Sequence, residues 1–315
     1  MPNPPLDPAL AIQAVNAVAQ YGSQNQASRV LGISRATLQA RLRRAEQVLG
    51  SDNMLSLRQH ERNFIEVAID DATVLVCSDV HAWPGEMTTA QRGFLALARK
   101  LRPAHVVING DLFDGAHVSR FTPKNHNRLP TVRQEIDACQ AFVAAVKRAT
   151  PGSALTIVVG NHDERYTARL VERVPEYAGI QHFDIRHLFP EATWCYRLTV
   201  NPGGEGMTDI VHCWAGGIHA SYNNVLRGGV NYVTGHTHRG LTRPWNDRSG
   251  RRYGVETGTM IDIDGPQAYY VAGRPVDWHP SFVVLTYRGG KLLRPEHVDV
   301  HDDGVIAWRG ELLKV

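Results

Sequence analysis

Cysteine is scarce in this 315-residue chain, and long apolar runs are absent. Its four cysteines lie far apart and form no Cys-x-x-Cys pair, at positions Cys77, Cys139, Cys195 and Cys213. This spacing excludes a disulfide framework and a zinc ribbon and is typical of the reducing cytosol, so we expect a cytoplasmic protein. No apolar run reaches the roughly 18 residues of a membrane span, and residues 1–10 lack the pattern of a signal peptide. We therefore predict no membrane partner.

Net positive charge is absent from most of the chain. The formal charge is +3, and residues 1–50 account for all of it, because their five arginines outnumber Asp7 and Glu46. Such an asymmetry is typical of a module that faces nucleic acid. Histidine, by contrast, is abundant, with 15 copies, and it is the commonest neutral metal ligand.

The sequence changes character along its length. Residues 1–50 predict a small helical domain, 51–70 a polar linker with a lead-in strand, and 71–315 an α/β domain. The predicted strands are Phe64–Ile69, Thr73–Cys77, His105–Asn109, Ala154–Val159, Asp209–His212 and Tyr232–Thr234, and the predicted helices are Ala90–Leu101 and Val132–Ala149. After Gly235 we expect only strands and turns. There, Ser281–Tyr287 and Lys291–Val300 predict a hairpin, and Pro295 indicates that its second strand is an edge strand.

Three short helices are predicted within residues 8–49. Residues 21–23 break the first helix, Gly32 supplies the turn after the second, and Ser34 caps the third. The side chains expected to face inward are Leu10, Ala11, Val15, Val18, Ala19, Ala27, Val30, Leu31, Leu38 and Leu42.

The turn between the second and third helices has a specific pattern. A small residue, then Leu31-Gly32-Ile33-Ser34, then Thr37-Leu38 one turn later resembles the Fis-like helix-turn-helix. The resemblance implies that the helix starting at Ser34 enters the major groove of DNA. The side chains expected to contact bases or phosphates are Arg35, Thr37, Gln39, Arg41, Arg43 and Arg44. The alternative is a helical bundle used for docking or dimerisation, which would make the protein a homo-oligomer.

Several buried strands of the second domain run into polar residues that can bind metals. The sequence reads D-x-H at 79–81, G-D-x-x-D at 110–114, G-N-H-D-E at 160–164 and G-H-T-H at 235–238. Ligands of α/β sheets collect beyond the carboxyl ends of strands, so these blocks can build one site. The four blocks, in this order, resemble the calcineurin-like metallophosphoesterases, and the resemblance covers about residues 71–315. It implies an α/β fold of two mixed β-sheets packed as a sandwich and flanked by helices, preceded here by the all-α helix-turn-helix.

The resemblance also implies a centre of two metal ions. Asp79, His81 and His238 would hold the first ion, Asn161, His212 and His236 the second, and Asp111 would bridge them. Mixed nitrogen and oxygen ligands suit Mn²⁺, with Fe or Zn²⁺ as alternatives, better than Ca²⁺. Such ions generate a bridging hydroxide that attacks phosphorus in line, and no covalent phosphoenzyme is required.

Three further residues, within or directly after the G-N-H-D-E block, are expected to contribute to catalysis. The resemblance implies that His162 is the general acid or stabilises the transition state. We expect Asp163 to orient His162 and Arg165 to contact a phosphate oxygen. The basic segment 119–128 is predicted to form a loop over the site, which either grips a phosphodiester chain or is an ordinary solvated loop.

We predict an ester hydrolase, specifically a phosphodiesterase or nuclease directed to DNA, similar to the phage or bacterial nuclease-type members of the family. One alternative is a phosphomonoesterase acting on a nucleotide or phosphoprotein, with the helices as a regulatory or dimerisation element. The other is a DNA-binding regulator with a degenerate esterase domain, which the complete ligand set argues against. The sequence pattern leaves open whether the substrate is a monoester or a diester.

Overall fold

The computed structural model describes residues 8–21, 24–49, 63–119, 129–177, 180, 182–269, 271 and 274–315. The chain divides into two compact units, Met1–Phe64 and Ile65–Val315. Most of the predicted linker, 51–62, and most of the predicted basic loop, 120–128, lie outside the described residues. Among the described helices, none combines the length and the apolar character of a membrane span.

The first unit contains the three predicted helices, α1 (Pro8–Tyr21), α2 (Gln24–Val30) and α3 (Arg35–Leu49). The Ser34 hydroxyl accepts a hydrogen bond from the Thr37 amide at 3.0 Å, which confirms the cap of the third helix. Their core is formed by Ala14, Ala17, Ala27 and Leu38, with Val18, Leu31, Ile33 and Leu42 packed against it.

One inward-facing assignment is wrong, because Val30 is 55% exposed. The buried face of α2 is centred on Ala27 and Ser28, which turns Val30 away from the core. Helix α2 is only seven residues long, so a shift of one position changes which side chain is buried.

The second unit contains two sheets within the described residues. The six-stranded sheet has the order β1 (Phe64–Val67), β6 (Arg197–Val200), β7 (Thr208–Ile210), β8 (Asn231–Thr234), β10 (Gly250–Thr257) and β9 (Gly240–Asp247). The nine-stranded sheet has the order β15 (Glu311–Lys314), β14 (Val305–Trp308), β13 (Glu296–Asp302), β11 (Ser281–Arg288), β2 (Thr73–Cys77), β3 (His105–Asn109), β4 (Ala154–Val158) and β5 (Thr193–Cys195), and β12 (Lys291–Leu292) pairs with β11.

The two sheets face each other, and helices cover the outer face of the nine-stranded sheet. In strand β2, Val74 and Val76 belong to the core shared with the other sheet, whereas Leu75 and Cys77 belong to the helix-covered core. This alternation follows the two-residue period of a strand. The predicted two-sheet α/β sandwich flanked by helices is confirmed.

The helices that cover this face begin with defined caps. Helix α4 (Thr89–Leu101) starts with a capping box between Thr88 and Gln91, and α5 (Val132–Ala149) starts with the same arrangement between Thr131 and Gln134. Two further helices, α6 (Asp163–Arg173) and α7 (Ala220–Gly228), were not predicted. The described residues also contain 3₁₀ helices at Pro175–Tyr177, Ile185–Leu188 and Pro266–Ala268.

The predicted edge strand around Pro295 is wrong. The segment 291–300 is split into β12 and β13, and β13 pairs on one side with β11 and on the other with β14. Pro295 falls in the break between β12 and β13. Its missing amide hydrogen therefore removes no bond from the ladder, and β13 can lie inside the sheet.

Candidate metal centre

The candidate ligands follow the carboxyl ends of strands in both sheets. Strands β2, β3 and β4 are parallel neighbours in one sheet, and β7 and β8 are parallel neighbours in the other. Each of these strands ends two or three residues before a candidate ligand, in the order Asp79, Asp111, Asn161, His212 and His236. The Asp79 and His81 amides donate to the carbonyls of Gly110 and Asp111 at 3.0 and 2.9 Å, so the loops after β2 and β3 stay joined.

Among the described residues, three overlapping groups bring side-chain donors within 4.8 Å of one another. The groups are Asp79, His81 and His238; His81, Asp111 and His162; and Asp111, His212 and His236. Asp111 and His81 each belong to two groups, so the donors form one continuous cluster. Asp79 and Asp111 are buried, whereas His236 and its neighbour Asn161 are exposed, so the cluster opens to solvent on that side.

The donor atoms of the first group, Asp79, His81 and His238, lie close together. The His81 Nδ1 donates to the Asp114 carboxylate at 3.0 Å, which leaves the lone pair of the neutral ring on Nε2. That Nε2 lies 3.3 Å from the Nε2 of His238, which in turn lies 3.2 Å from Asp79 Oδ1. Nitrogen and carboxylate donors this close, in a buried cluster, fit a divalent cation between them.

The second group also brings nitrogen and carboxylate donors together. The His212 Nδ1 donates to the Asn109 carbonyl at 2.8 Å, which turns Nε2 towards the cluster. This Nε2 lies 3.1 Å from Asp111 Oδ2, at ion-pair distance. A bound divalent ion would displace the proton that the neighbouring carboxylates favour on this ring, so that Nε2 could serve as a ligand. The His236 Nδ1 lies 2.8 Å from Asn161 Oδ1 at the open side of the group.

The cluster is strongly coupled electrostatically. Burial alone would raise the pKa of Asp111, but the neighbouring His212 and His162 outweigh it and hold that pKa well below its usual range. Burial would lower the pKa of His212, but Asp111 and Asp79 raise it to about 10. Burial also opposes ionisation of Asp79, and His238 more than compensates, so its pKa is lowered. The carboxylates therefore stay charged and can serve as ligands.

Much of the backbone of the cluster is in an unusual conformation. Among the described residues, nine non-glycine residues have a positive φ, and five of these are candidate ligands: Asp79 (51°), His81 (40°), Asp111 (53°), His236 (70°) and His238 (60°). The left-handed region costs roughly 1–2 kcal/mol for such residues and is concentrated at functional sites. The strain is a structural finding that the sequence did not predict.

Gly160 allows two of the loops to approach closely. A Cβ at this position would lie 2.2 Å from both the amide nitrogen and Oδ1 of Asp111. The next amide but one, that of His162, donates to the same Oδ1 at 2.8 Å. A side chain at residue 160 would therefore displace the carboxylate that links the groups.

Asp114 orients His162, whereas we expected Asp163 in that role. The His162 Nδ1 lies 3.0 Å from both the carboxylate and the carbonyl of Asp114, and its Nε2 accepts from Arg165 Nη2 at 2.8 Å. The Asp163 carboxylate is instead fully buried and accepts from the amides of Gly160, Asp111 and Phe113 at 2.9–3.0 Å. It fixes the loops because three backbone donors converge on it.

The Asp114 carboxylate touches both His81 and His162 and is 1% exposed. The G-D-x-x-D pattern was the available signal, since it places this side chain three residues after Asp111 in the loop that follows β3. Because the two histidines lie in other loops, only the fold shows that they converge on it.

The candidate DNA-contacting residues lie on helix α3 of the first unit. Arg35 and Thr37 are exposed in its first turn. The Gln39 amide donates to Gln24 Oε1 at 3.4 Å, and Arg41 Nη1 donates to Gln13 Oε1 at 3.5 Å, so these two side chains also hold the helices together. The side chains of Arg43 and Arg44 lie outside the described part of the chain.

Comparison with known families identifies both units. Residues 72–247 match the family model described as calcineurin-like phosphoesterase. Residues 9–49 match the helix-turn-helix Psq domain model. The helix-turn-helix prediction is confirmed at that level, whereas the match does not carry the narrower label of Fis-like.

Similar proteins and structures were also found. The Gene 54 protein of Mycobacterium phage D29 is 25% identical over 217 residues, covering 63% of this chain and 82% of that protein, and the Gene 54 protein of Mycobacterium phage L5 is 24% identical over 224 residues with the same coverage. Vps29 of Entamoeba histolytica, solved with Zn²⁺, has 16% identity and a TM-score of 0.41, covering 77% of this chain and 98% of Vps29. Yfce, a phosphoesterase from E. coli, has 15% identity and a TM-score of 0.36, covering 75% of this chain and 91% of Yfce.

The phosphoesterase match spans more than half of the 315 residues and includes all four sequence blocks. It also includes every member of the three donor groups. The chain therefore belongs to the calcineurin-like phosphoesterase family, whose members are metal-dependent hydrolases of phosphate esters.

Proposed function

We propose that this chain hydrolyses phosphodiesters in nucleic acid at a centre of two divalent ions. The first ion would be held by Asp79, His81 and His238, the second by Asn161, His212 and His236, and Asp111 would bridge them. The observation that carries this proposal is the position of Asp111, which shares one donor group with His81 and another with His212 and His236. Two close cations repel, and a shared carboxylate offsets that repulsion.

The donor set supports Mn²⁺, with Fe or Zn²⁺ as alternatives. Imidazole and carboxylate together suit these ions, whereas Ca²⁺ prefers oxygen ligands alone. When bound, such ions lower the pKa of a water molecule and neutralise charge on phosphoryl oxygens.

His162 and Arg165 are the protein groups proposed to act on the phosphate. In the described arrangement, His162 keeps its proton on Nδ1, towards Asp114, and its Nε2 accepts from Arg165. Arg165 thus lies beside the cluster with its guanidinium partly exposed. We infer that Arg165 supplies positive charge to a phosphate oxygen. His162 would then hydrogen-bond to the phosphate, or donate a proton from Nε2 once the ring is protonated.

The first unit supports nucleic acid as the substrate. It matches a helix-turn-helix model, holds the net positive charge of the chain and exposes Arg35 and Thr37 in the first turn of α3. A basic, exposed recognition helix is suited to phosphates and bases of a duplex. We propose that this unit directs the enzyme to DNA.

A substrate panel tests the proposed reaction. Full-length protein loaded with Mn²⁺ is assayed with para-nitrophenyl phosphate, its bis ester, cyclic nucleotides, and single- and double-stranded DNA. We expect the bis ester and DNA to be hydrolysed with higher kcat/KM than the monoester. A clear preference for the monoester would contradict the diesterase proposal and favour a phosphomonoesterase.

The salt dependence of duplex binding tests the first unit. Changing Arg35, Arg41 and Arg43 together to Ala should flatten the slope of log affinity against log salt by about two to three units, if each contacts one phosphate. Arg29→Ala, on the neighbouring helix, is the matched control. If the triple variant keeps the wild-type slope, the helices serve docking or dimerisation, which sedimentation would detect.

A further inference from the structure

A second concentration of positive charge lies inside the neutral part of the sequence. Between Ile210 and Val255 the only acidic residue is Asp247. The same segment contains six arginines: Arg227, Arg239, Arg243, Arg248, Arg251 and Arg252. All of it is described by the structure, and it includes helix α7 and the hairpin of β9 and β10.

Helix α7 and strand β9 both begin beside the metal centre and run away from it. Strand β9 starts at Gly240, two residues after His238, and pairs antiparallel with β10, whose Thr257 end lies opposite Gly240. Helix α7 follows the loop that begins at His212 and leads back to the start of β8. The two elements therefore leave the centre in the same direction.

Their starting points are fixed to each other. The Glu256 carboxylate is fully buried and accepts from the Ser221 amide at 3.1 Å and from the Thr237 hydroxyl at 2.6 Å. Arg239 contacts the same carboxylate at 3.3 Å and also donates to the Gly217 carbonyl. The first turn of α7 is thereby held at a constant position relative to β9.

One face of β9 is turned towards α7. Thr242 bonds to His297 of the other sheet, so Arg243 and Trp245, with Leu241, face the opposite way. The Arg243 guanidinium lies 5.0 Å from the ring centre of Tyr222 on α7. The same Tyr222 ring packs edge-on against Trp245, with centroids 5.3 Å apart.

Arg243 is exposed and has no carboxylate partner among the described residues, although the ring of Tyr222 holds it in place. The nearest acidic residue along the strand, Asp247, is already bonded to the Trp245 indole and to Arg252. A guanidinium that is positioned by an aromatic ring but unpaired is suited to bind a phosphate.

We propose that the α7–β9 surface, formed by Tyr222, Leu241, Arg243 and Trp245, binds a single-stranded nucleic acid that extends from the metal centre. This inference rests on the proposed diesterase function and adds a second phosphate contact, at Arg243. Arg243 lies three residues beyond Gly240, or about 10 Å along an extended strand.

A single strand is favoured over a duplex because the α7–β9 surface combines positive charge with exposed apolar side chains. Leu241 is 42% exposed, and Leu226, one turn after Tyr222 on α7, is 44% exposed. The bases of a single strand can contact such apolar and aromatic surface, whereas those of a duplex are stacked on each other.

The test measures binding of a fluorescent 12-nucleotide single strand to the full chain in EDTA, by anisotropy at several salt concentrations. Arg243→Ala should weaken binding about tenfold and reduce the salt slope by about 0.7, the contribution of one phosphate of a single strand. Arg243→Lys should keep the wild-type salt slope. The matched control is Arg309→Ala, because Arg309 also lies over an aromatic ring, Trp308 at 4.3 Å, but is paired with Glu296.

Equal affinities and salt slopes in the wild type and Arg243→Ala would contradict the proposed binding surface. A loss of affinity for duplex DNA alone would contradict it as well. Hydrolysis of the bis ester by the wild type reports separately on the proposed function. If the wild type hydrolyses the ester while Arg243→Ala binds the strand normally, only the binding surface is wrong. If Arg243→Ala weakens strand binding while the wild type hydrolyses no diester, the binding surface stands and the proposed function is wrong.

Discussion

Strands β2, β3 and β4 are ordered in different ways at their two ends. At the amino end, the ladder simply continues into the loops, with the Ala104 amide donating to the Thr73 carbonyl at 3.0 Å. The buried His105 side chain there is paired with the Thr156 hydroxyl at 2.8 Å. At the carboxyl end, Asp79, His81 and Asp111 have a positive φ, and their donor atoms converge with those of histidines that follow β7 and β8 of the other sheet.

The difference distinguishes residues at the amino end, which stabilise the fold, from residues at the carboxyl end, which form the candidate site. Polar groups at the amino end are satisfied in pairs, as buried polar groups usually are. At the carboxyl end, strain and close carboxylates are retained, which is typical of a site whose order depends on a ligand. We therefore expect substitutions at the carboxyl end to affect activity, and substitutions at the amino end to affect stability.

The largest effect is expected for Asp111→Asn. Loss of the proposed bridging charge should reduce kcat/KM by a factor on the order of 10³ or more, while thermal unfolding remains cooperative. The matched control is Asp71→Asn near the amino end of β2, where the carboxylate accepts a hydrogen bond from the Gly289 amide at 3.1 Å. Comparable losses in both variants would remove the distinction between the two ends.

His162→Ala should have the next largest effect. It should lower kcat by about 10²–10³ and leave the metal content unchanged, because His162 is proposed to act on the phosphate rather than to hold an ion. Kinetics and elemental analysis of the same preparation test both statements. Loss of an ion would show that His162 is a ligand, as its membership of one donor group with His81 and Asp111 would permit.

Gly160→Ala should reduce activity by about 10–100-fold, because the new Cβ would displace Asp111. Gly152→Ala, just before β4 at the amino end, is its counterpart. Gly152 has a φ of +90°, and a Cβ there would meet no other atom within 4 Å, so alanine should cost about 1 kcal/mol of stability. Kinetics should therefore show a loss of activity in Gly160→Ala but not in Gly152→Ala, and chemical denaturation should show the expected loss of stability in Gly152→Ala.

The last prediction concerns stability rather than activity, through His105 and pH. Burial lowers the pKa of His105 from 6.5 to about 4. The folded state therefore resists protonation, so this contribution to stability is present above pH 6.5 and is lost as the pH falls towards 4. Over that range the wild type should lose up to about 3 kcal/mol more unfolding free energy than His105→Gln. Parallel pH profiles in urea denaturation would contradict this account.

The sequence predicted which residues cluster better than it predicted the surroundings of the cluster. Asp79, Asp111 and His236 could be placed because each follows a short apolar strand, and strand ends converge in an α/β fold. Their positive φ values could not be predicted, because they arise from the close approach of loops that are distant in the sequence. The contact of Asp114 with two histidines and the break at Pro295 depend on tertiary packing in the same way. Helix α7 was missed because its pattern is only nine residues long.

The central claim, that the carboxyl ends of these strands hold two divalent ions which the enzyme requires, is tested most directly by metal analysis of the wild-type protein. Elemental analysis of protein saturated with Mn²⁺ and freed of excess ion should give two ions per chain. Removal of the ions with a chelator should abolish hydrolysis of the bis ester, and re-addition of Mn²⁺ should restore it. Full activity in protein shown to be free of metal would contradict the account.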